Sequence, residues 1–100
     1  MWVRVQLLYF PGCPHVDQAR AVLAEALAGL ADKAVVHEVD VTAATTPAEL
    51  RDWGSPTILI DGRDVAGGTP TGAGCRLYEG ADNRGVPPLA LIRDAVMGSR

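Results

Sequence analysis

An α/β domain built on a four-stranded mixed sheet, with elements in the order β-α-β-α-β-β-α and helices on both faces, is the fold class that this sequence predicts. Three observations carry the prediction. An apolar run, Val3 to Tyr9, passes through Pro11-Gly12 into an alanine-rich segment with apolar residues at three- and four-residue spacing. A second strand-like run follows, and a strand–helix–strand crossover of this kind is right-handed with parallel strands. Further on, Thr57 to Ile60, Asp61-Gly62 and Arg63 to Ala66 read as a β-hairpin closed by a type I′ turn. One hundred residues make one compact domain, residues 1–100.

Val3 to Tyr9 carries apolar residues on both faces, as a central strand does when it is covered on both sides. Pro14 suits a first helical position because it has no N–H to leave unsatisfied. The helix is predicted to run to about Leu30, with Val16, Ala19, Leu23, Leu27 and Leu30 on its apolar stripe. Ala34 to Val41 alternates: Val35, His37, Val39 and Val41 share one face, and Val36, Glu38 and Asp40 the other, which is an edge-strand pattern.

Thr46-Pro47-Ala48-Glu49 has the spacing of a capping box, opening a short helix to Trp53 that Gly54 closes. Trp53 is expected in the core or as a lid on that helix. Gly67-Gly68 ends the hairpin. Thr69 to Val86 is glycine-rich with weak periodicity, and Cys75 to Tyr78 reads equally as a helical turn or a strand fragment. Pro87 to Met97 is the last helix, with Leu89, Ile92 and Val96 on its buried face.

Composition narrows the function classes. An apolar content of 48% supplies a core without staples. A net charge of −3 with no basic cluster argues against a nucleic-acid partner. No apolar stretch is long enough to span a bilayer, so no membrane partner is expected. The N-terminal run contains Arg4 and lacks a small-residue cleavage site, so it reads as a strand and not as a signal peptide. Two cysteines cannot form a disulfide framework, and a reducing cytoplasm fits best. A monomer is expected.

Cys13 is the chemically informative residue. A cysteine at a strand-to-helix junction meets the positive end of the helix dipole, which favours the thiolate, the form that acts as nucleophile and soft-metal ligand. Asp17, one turn in, works against this. His15 reads either as a proton-handling or electrostatic support for the thiolate, or as a solvated polar residue. A buried, inert cysteine is the alternative for Cys13 itself. His37 is expected to be a partly exposed edge-strand residue. Cys13, His15 and Cys75 form a three-ligand soft-metal set without a strong spacing signature, so no metal site is expected.

Cys13-Pro14-His15-Val16 resembles the Cys-Pro-Tyr-Cys helix start of the glutaredoxins. Ser55-Pro56-Thr57-Ile58-Leu59-Ile60-Asp61-Gly62, through Gly67-Gly68, resembles that family's cis-proline strand, hairpin and double glycine. The resemblance covers residues 3 to 68, about two thirds of the chain. It implies a thioredoxin-like fold. It also implies a cis bond before Pro56, where an X–Pro bond is trans by default. Ser55 would then present its backbone to an extended substrate beside Cys13, with Pro14, His15, Gly67 and Gly68 at the substrate site.

Three departures matter. Val16 stands where the family has its second cysteine. Thr69-Pro70 replaces the aspartate that helps hold glutathione. Residues 69–86 have no clear counterpart. The resemblance therefore implies a single-thiol thiol–disulfide oxidoreductase that acts on a small-molecule or protein thiol or disulfide through a mixed disulfide. Cys75 or an external low-molecular-weight thiol would resolve that intermediate, and no other cofactor is implied. The reading from a different class is a non-catalytic module of the same fold that binds a protein segment, a thiol adduct or a soft metal ion such as Hg(II) or Cu(I). A [2Fe–2S] role is a weak third, because Pro14 and His15 stand where the monothiol subfamily has glycine and a bulky apolar residue.

Overall fold

The computed structural model describes residues 3–30, 33–68, 78 and 85–98. Its elements are β1 (Val3–Tyr9), α1 (Val16–Ala26), β2 (Ala34–Asp40), α2 (Ala48–Arg51), β3 (Thr57–Ile60), β4 (Arg63–Asp64) and α3 (Leu89–Gly98). The sheet order is β2-β1-β3-β4. β1 runs parallel to β2, with Val5 opposite Val36, and antiparallel to β3, with Leu7 opposite Ile58. Among the described residues, the protein is thus an α/β protein with a four-stranded mixed sheet and three helices.

Side-chain alternation along the central strands builds two cores. Val3, Val5 and Leu7 of β1, with Ile58 and Ile60 of β3, pack against Ala19 and Leu23 of α1 and Ile92 and Val96 of α3. Leu8 and Leu59 point the other way, onto Val41 and Trp53, with Leu50 of α2 against them. Helices therefore cover both faces, and Trp53 belongs to the second core. The β3–β4 turn is of type I′: Asp61 and Gly62 have φ of 50° and 86°. The Asp61 carboxylate also accepts the Arg4 N–H at 2.9 Å, tying the hairpin tip to β1.

Several boundaries differ from the sequence expectation, each for a local reason. α1 begins at Val16, not Pro14. Pro14 and His15 lie in a turn, and the Ala19 N–H to His15 carbonyl bond of 2.9 Å opens the helical ladder. α1 ends at Ala26, because the bonds from Ala28 to Glu25 and from Leu30 to Leu27 tighten into three-residue turns before Gly29 at φ 83°. Leu27 and Leu30 still reach the first core.

The capping box does not form. The Thr46 hydroxyl donates to the Asp40 carbonyl at 2.5 Å, leaving α2 to start behind Pro47 without a side-chain cap and to end at Arg51. β2 stops at Asp40, although the Val41 N–H adds one more bond to Tyr9, at 2.8 Å. β4 is two residues long because the Gly67 N–H turns back to the Asp64 carbonyl at 2.9 Å. α3 starts at Leu89, after Pro87-Pro88. Among the described residues, no helix is long and apolar enough to cross a membrane.

Candidate functional site

The pairing of Leu8 with Thr57 puts everything before Thr57 and everything after Tyr9 at one end of the sheet. Cys13 and the Ser55–Pro56 pair therefore share the C-terminal end of β1. The chain leaves β1, turns at Gly12 (φ 87°), and the Cys13 N–H donates back to the Phe10 carbonyl at 3.3 Å. Cys13 is a free cysteine and 9% exposed. It lines a cavity of roughly 220 Å³ walled by Tyr9 at the end of β1 and Phe10 just after it, by the Pro11-Gly12 turn, and by Val16, Asp17 and Arg20 from α1.

Arg20 is the best-anchored side chain of this cavity. Its Nε donates to both carboxylate oxygens of Glu38 at 2.9 Å, its Nη1 meets Asp17 at 2.5 Å, and its guanidinium lies 5.9 Å from the Tyr9 ring centroid. The hydrogen bond to Glu38 raises the Arg20 pKa above its already high ordinary value, with Asp17 adding to the effect. The cavity wall thus combines the Tyr9 and Phe10 side chains and Val16 with the Arg20–Asp17 ion pair.

The expected site residues divide into three groups. His15 is half-buried at the N-cap of α1, with no side-chain cap bond, and so is not the exposed first-turn residue that sequence suggested. Its ring lies against Gly85, where an added Cβ would sit 2.5 Å from ring atoms Cγ and Nε2. Pro14 beside it is exposed. Ser55 and Pro56 are fully buried, and the peptide bond between them is cis. The Tyr78 hydroxyl donates to the Pro56 carbonyl, and the Thr57 hydroxyl donates to the Gly54 carbonyl at 2.6 Å. Ser55 Oγ is buried without a hydrogen-bond partner among the described residues.

Gly67 and Gly68 are exposed at the hairpin exit and both bond to Asp64, the latter through a carboxylate oxygen at 2.9 Å. Their geometry serves the turn. None of Pro14, His15, Ser55, Pro56, Gly67 and Gly68 lines the Cys13 cavity. Cys75, with Thr69 and Pro70, lies outside the described residues. Among the described residues, no three His, Cys, Asp or Glu side chains are grouped to hold a metal ion.

Sequence reasoning missed Tyr9, Phe10, Arg20, Tyr78 and Gly85. Arg20 had a signal: it is the one basic residue of α1 and follows Asp17 by three positions. Tyr78 and Gly85 had none, because their partners are 22 and 70 residues away. Comparison with models of known families, with curated proteins and with solved structures finds no match.

Proposed function

We propose that this protein is a thioredoxin-like, single-thiol thiol–disulfide exchange protein with Cys13 as its nucleophile. The observation that carries the reading is the placement of Cys13. It is the free thiol of a walled cavity at the C-terminal end of β1, just ahead of α1 and at the same sheet end as Ser55–Pro56. The aromatic wall of Tyr9 and Phe10 suits the apolar flank of a disulfide-bearing substrate.

The chemistry balances with a thiol as reductant. The Cys13 thiolate attacks one sulfur of a substrate disulfide; a Cys13 mixed disulfide forms as the original S–S bond breaks, and the leaving sulfur departs as a thiolate that takes a proton from water. A second thiolate then resolves the mixed disulfide. An external thiol attacks the substrate-derived sulfur, forms a new S–S bond with it and releases Cys13 as a thiolate. Cys75 would instead attack the Cys13 sulfur, release the substrate moiety as a thiolate and leave a Cys13–Cys75 disulfide for two external thiols to reduce. Val16 is 6% exposed and occupies the place of an internal resolving cysteine. The second thiol is therefore an external low-molecular-weight thiol or Cys75, which stands three residues before Tyr78 in the chain.

The test is reduction of a glutathione mixed disulfide by the wild-type protein and by Cys13→Ser. A rate at least about 100-fold lower in the variant is expected for loss of the nucleophile. Equal rates would show that Cys13 does not carry the activity. Stoichiometric binding of a soft metal ion by wild type without any reduction would favour the binding-module reading.

A further inference from the structure

We infer that Gly85 is a positioning residue for His15, and through it for the Cys13 thiol; the inference rests on the nucleophile reading above. Gly12, Gly29, Gly62 and Gly67 have positive φ, where glycine answers a backbone need. Gly85 has no such φ, so what it supplies is space. It is buried, and a Cβ built on it falls 2.5 Å from Cγ and Nε2 of His15, well inside van der Waals contact.

Neither backbone can retreat from that contact. Val86 is 3% exposed and part of the first core, and Pro87 behind it is fully buried, so the chain is anchored on the C-terminal side of Gly85. On the other side, the His15 carbonyl accepts the Ala19 N–H at 2.9 Å and the next residue, Val16, is buried, so the His15 backbone is fixed as well. The imidazole makes no capping bond, and its ring packs directly on Gly85, a contact that restricts its rotamer. A methyl group at position 85 drives the ring out by rotation about its side-chain bonds. His15 is two residues from Cys13 in the turn before α1, near enough in the chain for the ring's rotamer to bear on the surroundings of the thiol.

The experiment measures iodoacetamide alkylation of native protein at pH 7, in a Cys75→Ser background where Cys13 is the remaining cysteine. The variants are His15→Ala, Gly85→Ala and the double substitution, with urea midpoints measured in parallel. Gly85→Ala is expected to slow alkylation by about two- to tenfold, a span typical of coupled neighbours. His15→Ala should slow it similarly, and the double variant should be no slower than His15→Ala alone. The urea midpoint lost in Gly85→Ala should return in the double variant, which also keeps the test open if Gly85→Ala folds poorly. A rate untouched by Gly85→Ala, or slowed by the same factor with Ala at position 15, overturns the inference and leaves the nucleophile reading standing. A wild-type thiol that does not react overturns both.

Discussion

Tyr78→Phe isolates one hydroxyl at the sheet end that carries Cys13. Tyr78 is 3% exposed, and its hydroxyl donates to the carbonyl of Pro56, which is fully buried. The phenylalanine ring keeps the apolar packing and removes the donor alone. A buried acceptor that loses its partner costs about 1–3 kcal/mol. Relaxation and the carbonyl's second lone pair place the expected loss near the lower half, ~1–2 kcal/mol. For a domain of this size, 1 kcal/mol corresponds to a Tm shift of roughly 4–8 °C, so a fall of about 5–15 °C is expected. The assay is urea unfolding followed by tryptophan fluorescence, with a thermal melt as the second probe. Trp53 is a suitable reporter because it sits in the core that Leu8 and Leu59 line. A loss below about 0.5 kcal/mol, the range of neutral surface changes, would refute the idea that this bond ties Tyr78 to the start of β3.

Two further predictions concern the core and the missing thiol. Ile92→Ala, at a fully buried position of the first core, should cost about 2–5 kcal/mol in urea unfolding; a cost under 1 kcal/mol would mean that α3 does not hold the sheet face assigned to it. Val16→Cys restores a Cys-x-x-Cys pair across the turn before α1, and oxidation of that variant in a Cys75→Ser background should give an intramolecular disulfide, read as a 2 Da mass loss. Only intermolecular disulfides after oxidation would show that positions 13 and 16 face apart.

The fold was legible because periodicity and turn chemistry agree with tertiary packing in β1, the α1 stripe, β2 and the Asp61-Gly62 hairpin. The errors fall where a local signal met a stronger non-local partner. The Thr46 hydroxyl, read as a cap for α2, is taken by the Asp40 carbonyl at the end of β2. His15, read as exposed, is drawn onto Gly85 across 70 residues of sequence. Cys13 was recognisable from the strand–turn–helix context alone, but the cavity around it was not. Arg20 enters that wall because Glu38 of β2 holds it over Tyr9, and this depends on which strand lies beside β1.

The Arg20–Glu38 ion pair also bears on the outer edge of the sheet. The Val3 N–H to Lys33 carbonyl bond and the Val41 N–H to Tyr9 carbonyl bond, both 2.8 Å, turn the odd-numbered peptide groups of β2 inward. The amides and carbonyls of Val36 and Glu38 therefore point away from the sheet, along an outer strand whose Val35 and Val36 are 40% and 44% exposed. A flat apolar margin of this kind invites stacking of strand on strand between molecules. Glu38 places a carboxylate on this strand, a charge of the kind that blunts an exposed edge, and the guanidinium that walls the cysteine cavity is its ion-pair partner.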